Sequence, residues 1–321
     1  MELISVLMPT YNRAHMIGKA IKSLLEQTYS NLQIVIVDDG STDNTEEVIK
    51  QFNESRIDYY RIDHVGVSSA ANYGLSKAES KIIVRLDSDD YCNINRINIQ
   101  YSFYRKNNGQ YGVIGSNFYV IVEEGSESKV LKVIYPKNHR QISEQLPRKC
   151  CLAQPTLLFR KDIVLEVGGY TESKQIAEDW DLYLRLLEKT KFYNIQKFLV
   201  TYRRHGANLS SSVELFKRRY FEVPVSFFEK TIHHEKNKKK LAKAFFDMGY
   251  FYYYENRLDK SQDFFEEAVK LNPYSIQYLR YFIPNKYFQR LIEYSRKHNY
   301  YKYLNFFRRL DRNNYFFRNS F

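Results

Sequence analysis

The stretch "KIIVRLDSDD", residues 81–90, joins a short apolar run to a dense group of acids. Residues 82–86 have the length and most of the composition of a buried strand. Asp87, Asp89 and Asp90 then place three carboxylates within four residues, where their negative charges repel one another. Three repelling carboxylates at the end of a buried strand are unfavourable by themselves. The surrounding sequence indicates what could account for them.

A second stretch, "LQIVIVDDG" at 32–40, has the same form, because its apolar run ends in Asp38 and Asp39. Around both stretches, strand-like and helix-like segments alternate, which predicts an α/β fold with a mostly parallel sheet and helices on both faces. The predicted strands are 3–10, 32–40, 56–62 and 81–87, and the predicted helices are 15–27, 41–52 and 68–78. In such sheets ligands bind beyond the carboxyl ends of the strands.

Both acidic clusters therefore belong at the mouth of the predicted sheet. Carboxylate oxygens are the ligands that Mg²⁺ and Mn²⁺ prefer, and these ions keep open positions for phosphate groups. Acids at strand ends are also common as turn formers and helix caps, and a single Asp pair would favour that interpretation. Two clusters at two strand ends favour a cation site.

The second half of this region continues with strands and helices. Residues 154–170 predict a strand, a helix and a Gly-Gly turn, and residues 177–189 predict a helix with an acidic start. Residues 194–206 predict a late strand that ends in a basic cluster.

The charge of the chain is unevenly distributed. The 321 residues have a formal net charge of +12, with 44% hydrophobic and 27% charged residues, as in a globular protein. Residues 1–216 hold 27 Lys and Arg against 26 Asp and Glu, whereas residues 217–321 hold 22 against 11. This asymmetry predicts a domain boundary near 215 and an anionic partner for the basic C-terminal third.

The C-terminal third has a helical pattern. Residues 241–275 fit one tetratricopeptide-type hairpin, and the positions that match the template are Phe245, Gly249, Tyr252, Phe265, Ala268 and Pro273. Residues 300–312 then place an aromatic stripe among Lys and Arg. Two interpretations of this last segment stay open: a helix packed on the hairpin, or a helix on an anionic membrane surface. Nucleic acid is not an expected partner.

Targeting signals and cysteine usage predict a cytoplasmic protein. The N-terminus lacks the basic and apolar regions of a signal peptide, and no stretch approaches the roughly 20 apolar residues of a membrane span. Three cysteines are too few for a disulfide framework. We therefore expect a cytoplasmic protein whose basic third can contact the inner face of the membrane.

Six motifs in order carry a resemblance to a known family. They are "SVLMPTYNR" (5–13), "QIVIVDDGSTDNT" (33–45), "GVSSAANYGL" (66–75), "VRLDSDD" (84–90), "EDWDLYLRL" (178–186) and "YRRHGANLS" (202–210). Together they resemble the family-2 glycosyltransferases over roughly residues 3–210. The resemblance implies the GT-A fold, a Rossmann-like mostly parallel sheet, here in a domain of residues 1–215. Residues 216–321 would form a small all-α region.

The resemblance also implies a donor site. Asp39 would accept a hydrogen bond from the imide N–H of uracil or thymine, and Asp87 would lie near the ribose. Asp89 would hold Mg²⁺ or Mn²⁺ against the diphosphate, with His205 as a second candidate ligand. The other residues implied in nucleotide binding are Pro9, Thr10, Tyr11, Asn72, Arg85 and Ser88. Many relatives have an arginine where this chain has Ala71. Arg85 is included because it could supply that missing positive charge.

Asp179 would be the catalytic base. It lies at the predicted start of a helix, where the helix dipole favours an ionised carboxylate, although such an Asp can also be only a helix cap. The implied enzyme is a metal-dependent, inverting glycosyltransferase of the hexosyltransferase type. It would move a sugar, most simply from a UDP-sugar, to a hydroxyl of a saccharide or lipid-linked acceptor in surface polysaccharide synthesis.

Two other function classes share parts of this pattern. A non-catalytic interaction protein could keep the GT-A domain as a relic and use its helical third to bind a partner. A nucleotidyltransferase would need a Gly-rich phosphate loop after the first strand, and "MPTYNRAHM" (8–16) is not one.

Overall fold

The computed structural model describes residues 1–124, 127–174, 177–205, 213–254, 257–273 and 275. The chain divides into two compact units, Met1–Phe227 and Phe228–Phe321. The predicted boundary near 215 and the division between Phe227 and Phe228 both lie inside one helix, Val213–His234.

The first unit is built on one nine-stranded sheet. Its strands are β1 (Ile4–Thr10), β2 (Leu32–Asp38), β3 (Ile57–Arg61), β4 (Ile82–Arg85), β5 (Tyr91–Cys92), β6 (Tyr111–Glu124), β7 (Glu127–Val133), β8 (Leu158–Arg160) and β9 (Lys191–Arg204). Among the described residues the helices are α1 (Ala14–Leu25), α2 (Thr45–Lys50), α3 (Val67–Lys77), α4 (Arg96–Lys106), α5 (His139–Gln145), α6 (Lys161–Glu166), α7 (Glu178–Leu186), α8 (Val213–His234), α9 (Lys238–Tyr254) and α10 (Leu258–Leu271), with a 3₁₀ turn at Gln154–Thr156.

The first four strands pair in the order β3-β2-β1-β4, and all three of these pairs are parallel. Pro9 lies in the central strand β1 although proline cannot donate a ladder hydrogen bond. The backbone hydrogen-bonding positions of Leu7 and Pro9 point towards β4, because successive residues of a strand alternate between its two neighbouring strands. β4 ends at Arg85, which lies opposite Leu7. The missing N–H of Pro9 therefore lies beyond the end of its neighbour.

The sheet becomes mixed beyond β4. It continues in the order β8-β6-β9-β5, with β7 paired to β6, and only the β6–β9 pair in this half is parallel. The parallel arrangement predicted from the alternating pattern thus describes the N-terminal half. The second half departs from it, because β7 runs antiparallel to β6, and β8 runs antiparallel to both β4 and β6.

Apolar side chains fill both faces of the sheet, as the pattern predicted. On one face Val6 and Ile34 pack with Ile17 and Ile21 of α1. Successive strand residues point to opposite faces, so Leu7 lies on the other face, with α3 and α7. A sheet whose central strands are apolar on both sides needs this double cover.

In the second unit, α9 and α10 form the predicted helical hairpin. Phe246, Phe265 and Ala268 make its core. A Cβ on Gly249 would lie 2.6 Å from the ring of Phe265, so glycine permits the close packing of the two helices. The Ser261 hydroxyl donates to the Gly249 carbonyl oxygen at 2.8 Å. The predicted helix at 300–312 lies outside the described residues.

Within the part of the chain that the structure describes, no helix combines the length and the apolarity that crossing a membrane requires.

Candidate active site

The carboxyl ends of β1, β2 and β4 meet at one edge of the sheet. The parallel register places Thr10 opposite Asp38 and Leu7 opposite Arg85. The acids that follow β2 and those that follow β4 are therefore brought to the same edge by the alignment of their strands.

Asp38 and Asp39 have different roles at the end of β2. Asp38 is fully buried and accepts hydrogen bonds from the Ser41 amide and the Tyr59 hydroxyl, at 2.7 and 2.9 Å. The carboxylate of Asp39 receives the backbone N–H groups of Val65 and Gly66, at 2.8 and 3.0 Å. Asp38 thus stabilises the turn, whereas Asp39 fixes the loop that begins α3.

Tyr11 lies beside this loop, directly after β1. Its ring stacks on the ring of His64, with centroids 4.2 Å apart and planes inclined by 21°. His64 in turn places Nδ1 2.9 Å from Oδ2 of Asp39. An aromatic pair thus stands at the mouth of the sheet, where the donor base was predicted to bind.

Asp89 is the centre of a charged group after β4. Its Oδ2 lies 3.3 Å from Nε of Arg13 and 3.1 Å from Nε2 of His205. Arg203 of β9 donates from its side chain to the Asp89 carbonyl oxygen. The two residues predicted as metal ligands, Asp89 and His205, are therefore neighbours although 116 positions separate them.

A divalent cation at this place would have few protein ligands. Among the described residues, no three His, Cys, Asp or Glu side chains are grouped as a metal cage. Mg²⁺ commonly takes one or two carboxylates and completes its shell with phosphate oxygens and water. Asp89, with the His205 imidazole beside it, fits that pattern as a carboxylate ligand that leaves positions open for a diphosphate.

The next acid, Asp90, is structural. It is fully buried, and its Oδ1 accepts the backbone N–H of Arg203 at 2.9 Å. Burial, followed by the charges of Asp89 and Asp87, raises the pKa of Asp90 well above its ordinary value. Asp90 joins the acidic loop to β9 and so helps to hold His205 near Asp89.

Arg85 lies below the site. Its side chain is only 1% exposed, and its guanidinium pairs with Oδ1 of Asp87 at 2.8 Å. The same group donates to the carbonyl oxygen of Leu86 at 2.8 Å. Arg85 thus supports Asp87, whose side chain is 27% exposed. The donor contact predicted for Arg85 stays a prediction.

Asp179 lies in the first turn of α7. The αL residue Ala177 precedes the helix, and the fully buried Trp180 anchors it by donating from Nε1 to the Leu146 carbonyl oxygen at 2.7 Å. Oδ1 of Asp179 accepts the backbone N–H of Trp180 at 2.7 Å. Asp179 thus caps a helical N–H and still has a second carboxylate oxygen, so the cap and base roles are compatible.

The environment of Asp179 makes its carboxylate more basic than usual. Burial raises the pKa of Asp179 to about 6, and the nearby Asp87 adds to the rise, while the Trp180 N–H and Arg85 oppose it. Burial and the charge of Asp179 together raise the pKa of Glu178 to about 8. Burial thus raises the pKa of both neighbouring carboxylates, that of Glu178 by more than that of Asp179.

Three other predicted donor residues have distinct surroundings. Asn72 donates to the Tyr170 carbonyl oxygen at 2.9 Å and accepts the Tyr170 N–H at 2.8 Å, so its amide clips the Gly-Gly turn to α3. Thr10 is buried, and its hydroxyl has no protein partner among the described residues. Ser88 is buried between the acids. Nucleotide contacts of these residues stay predictions.

The family assignment follows from the sequence match. The model of glycosyl transferase family 2 matches residues 5–168, which include the β1, β2 and β4 ends of the site. The chain belongs to glycosyl transferase family 2.

Curated relatives share this family. The O-antigen biosynthesis glycosyltransferase WbnJ of Escherichia coli is 33% identical over 220 residues, which are 66% of this chain and 84% of that protein. The UDP-Glc:alpha-D-GlcNAc-diphosphoundecaprenol beta-1,3-glucosyltransferase WfgD of Escherichia coli is 29% identical over 71% of this chain and 87% of its own length. Some other relatives are longer, and the chain spans about a third of their length.

Solved structures share the GT-A fold. TarS 1-349 of S. aureus, in complex with UDP-GlcNAc, has a TM-score of 0.62 and 17% identity, over 84% of this chain and 80% of that one. The mannosyltransferase PcManGT of Pyrobaculum calidifontis, in complex with GDP-Man and Mn²⁺, has a TM-score of 0.54 and 17% identity, over 83% of this chain and 75% of that one. The predicted fold class is confirmed.

The structure adds site residues that the motifs of family 2 did not single out. Arg13 and Arg203 surround Asp89, His64 joins Tyr11 and Asp39, and Glu178 lies beside Asp179. Arg13 is the last residue of the first motif and Arg203 lies in the last motif, so both belong to the stretches that carry the family resemblance. His64 precedes its motif by two residues, and no periodicity or spacing marks it.

Proposed function

We propose that this glycosyltransferase is a metal-dependent, inverting enzyme that transfers a sugar from a UDP-sugar to a hydroxyl of a saccharide or lipid-linked acceptor. The observation that carries the proposal is the place of Asp179, a buried carboxylate in the first turn of α7 whose charge interacts with Asp87 and Arg85 at the carboxyl end of β4. Its basicity suits proton removal near neutral pH.

Asp179 acts on the acceptor. Its carboxylate accepts the proton of the acceptor hydroxyl while that oxygen forms a bond to the anomeric carbon of the donor sugar. The bond between that carbon and the diphosphate oxygen breaks on the opposite face, so the configuration inverts. One carboxylate oxygen of Asp179 is sufficient for this step. The other oxygen accepts the Trp180 N–H.

The charged group around Asp89 acts on the leaving group. Asp89 and His205 would hold Mg²⁺ or Mn²⁺, which supplies Lewis-acid neutralisation of the charge that builds on the diphosphate. Arg13 adds a fixed positive charge beside Asp89. Asp90 and Arg203 keep these groups in place through the hydrogen bond that joins the acidic loop to β9.

The substrate classes are supported by related proteins. TarS binds UDP-GlcNAc, and the name of WfgD specifies UDP-Glc and a diphosphoundecaprenol acceptor. The name of WbnJ, an O-antigen biosynthesis glycosyltransferase, favours a role in surface polysaccharide synthesis. A lipid-linked acceptor would place the enzyme at the cytoplasmic face of a membrane, in keeping with the net positive charge of residues 217–321.

A nucleotide-release screen tests the proposal. The whole chain is incubated with Mn²⁺ and one of UDP-Glc, UDP-GlcNAc, UDP-Gal, UDP-GalNAc or GDP-Man, together with GlcNAc-diphosphate carried on a short alkyl chain. Release that needs both donor and acceptor, and a product anomer opposite to that of the donor, would support the proposal. Lys22→Ala, at an exposed position of α1, serves as the unaffected control.

Retention of the donor anomer would refute Asp179 as the base of an inverting reaction. Donor binding without release across the whole panel would favour the non-catalytic alternative.

A further inference from the structure

Gln154 has a buried amide that the fold leaves without a partner. Only 8% of the residue is exposed to solvent, and its Oε1 has no hydrogen-bond partner among the described residues. Buried polar side chains are paired in most proteins, because an unpaired group loses its hydrogen bonds to water and gains none in return. A buried amide of this kind is explained if a ligand supplies the partner.

The 3₁₀ turn Gln154–Thr156 forms without this amide. The Thr156 backbone N–H and hydroxyl both donate to the Ala153 carbonyl oxygen, at 2.9 and 2.7 Å. The Leu157 N–H donates to the Gln154 backbone carbonyl oxygen at 3.2 Å. Backbone groups and the Thr156 side chain thus close the turn, and the Gln154 side chain is not needed for its shape.

A second glutamine beside the turn shows what a structural amide looks like here. Gln100 of α4 is fully buried, and its Nε2 donates to the carbonyl oxygens of Ile114 and Thr156 at 2.9 and 2.8 Å. Its Oε1 accepts Nε–H of Arg96 at 3.0 Å. The Gln100 amide therefore holds the turn in place, whereas the Gln154 oxygen contributes no such contact.

The chain before the 3₁₀ turn starts beside the proposed base. The Leu146 carbonyl oxygen accepts Nε1–H of Trp180 at 2.7 Å, and Trp180 directly follows Asp179. Burial and then the charge of Asp179 raise the pKa of Cys150 well above its ordinary value, so these two groups interact. Residues 146–150 are thus fixed at the first turn of α7.

The same stretch of chain ends beside the strand that leads to the proposed metal ligand. The Leu157 carbonyl oxygen accepts the backbone N–H of Arg85, the last residue of β4, at 2.9 Å. Gln154 precedes Leu157 by three residues, a span of at most about 11 Å. Gln154 therefore lies on the chain that joins the first turn of α7 to the carboxyl end of β4.

The transferred sugar belongs between these two ends. In the proposed reaction its anomeric carbon is bonded to the diphosphate on the side of Asp89 and is attacked by the acceptor oxygen on the side of Asp179. A glutamine amide offers both donors and an acceptor, and a sugar hydroxyl is likewise donor and acceptor. A few placed polar groups of this type fix the orientation of a ligand in its pocket.

We propose that Gln154 is a sugar-binding residue whose buried amide hydrogen-bonds a hydroxyl of the donor sugar. The inference rests on the proposed function, because it takes the donor to be a nucleotide-sugar held between Asp89 and Asp179. Gln154 then contributes to the choice of sugar and not to the choice of nucleotide. A site built to pair a hydroxyl discriminates against a sugar that lacks it, because the site's own polar group is left unpaired.

Gln154→Met tests this inference, because methionine has nearly the length of glutamine and lacks the amide. With Mn²⁺ and GlcNAc-diphosphate on a short alkyl chain as acceptor, the donors are UDP-Glc, UDP-GlcNAc, UDP-Gal and UDP-GalNAc. For the donor that the wild type uses best, kcat/KM should fall about 5- to 100-fold, the range for leaving one buried hydroxyl unpaired. Calorimetric titration with UDP should give a Kd within about 2-fold of wild type, since the nucleotide contacts are unchanged.

Thermal melting separates this role from a structural one. Gln154→Met should melt at or above the wild-type temperature, because an apolar group replaces a buried amide that has no partner. Gln100→Met is the matched control, since it removes an amide with three protein partners, and its melting temperature should fall by several degrees. A fall as large for Gln154→Met would show that its amide serves the fold and would overturn the inference.

Monodeoxy donors locate the contact. One donor that lacks a single hydroxyl should be a poorer substrate than its parent for the wild type and no poorer than its parent for Gln154→Met, because the variant has already lost that hydrogen bond. Equal losses in the two proteins for every monodeoxy donor would overturn the proposed contact.

The remaining outcomes separate the inference from the proposed function. Unchanged kcat/KM in Gln154→Met would mean that only water pairs the amide, and equal weakening of UDP and the donor would place its effect at the nucleotide. A raised KM for the acceptor with an unchanged KM for the donor would move the contact to the acceptor. Each of these three results would overturn the inference alone. A wild-type protein that releases no nucleotide with any donor would overturn the proposed function and with it this inference.

Discussion

Replacing Asp179 with Asn should abolish sugar transfer and at the same time stabilise the protein at neutral pH. Asn has nearly the same shape, and its side-chain oxygen can still accept the Trp180 N–H that Oδ1 accepts now. It cannot take a proton from an acceptor hydroxyl. Loss of a general base typically lowers the rate by a factor of about 100 to 10,000.

The stability effect follows from the raised pKa of Asp179. An upward shift from 3.8 to about 6 means that the folded protein binds more protons than the unfolded chain between these pH values. The free energy of unfolding therefore falls as pH rises through this window. The shift corresponds to a cost of at most about 3 kcal/mol above pH 6. Asp179→Asn removes this cost, so the variant should melt several degrees higher at pH 8 and no higher at pH 4.

Two measurements check this prediction. Steady-state transfer is followed by nucleotide release with the donor and acceptor found in the screen, and kcat/KM of the wild type should fall about tenfold per pH unit below about pH 6. Thermal melting at pH 4 and pH 8 needs no substrate. Asp162→Asn is the matched control, because Arg160 holds the pKa of that carboxyl below its usual range. Its melting temperature at pH 8 should not rise.

Transfer by Asp179→Asn within a few-fold of wild type would remove Asp179 from the base role. A melting temperature at pH 8 equal to or below that of the wild type would refute the argument from burial, even if the rate fell.

The other predictions concern the metal ligand Asp89, the glycines Gly249 and Gly18, and binding to anionic membranes. Asp89→Ala should lose at least about 100-fold in transfer with Mn²⁺ while its melting temperature stays within a few degrees of wild type, and normal turnover of this variant in EDTA would contradict the metal role. Gly249→Ala should destabilise the hairpin by about 1–3 kcal/mol, because its Cβ would meet the Phe265 ring. Gly18→Ala should stabilise the protein by up to about 1 kcal/mol, because its Cβ would meet only Val48 at 3.8 Å, and equal changes in melting temperature for the two variants would contradict the packing argument. The whole chain should co-sediment with anionic vesicles at low salt and release at high salt, as expected for basic residues 217–321, and equal binding to neutral vesicles would speak against an electrostatic contact.

The sequence alone determined the N-terminal half of the fold. Apolar runs of strand length alternating with amphipathic segments can bury their apolar faces in few ways, and a parallel sheet covered on both sides is the simplest of them. Ile17 and Ile21 stand at helical spacing, and both are fully buried on the sheet. The sequence also located Asp179 at the start of α7, because acids before an amphipathic run are a local signal.

Only the tertiary structure decided which side chains meet. His205 reaches Asp89 because β5 pairs with β9, and a pairing between distant strands leaves no periodic mark in either segment. Arg85 pairs with Asp87 and is 1% exposed, because β8 pairs with β4 beside it, and the motif alone does not reveal this burial. His64 gained its partners from the turn at Gly40 and the loop before α3. Local sequence specifies backbone preference and burial, whereas the environment of a charged or aromatic side chain is set by the strands and loops that happen to lie beside it. The carboxylate at position 179 is therefore readable from its motif, and its pKa of about 6 is not.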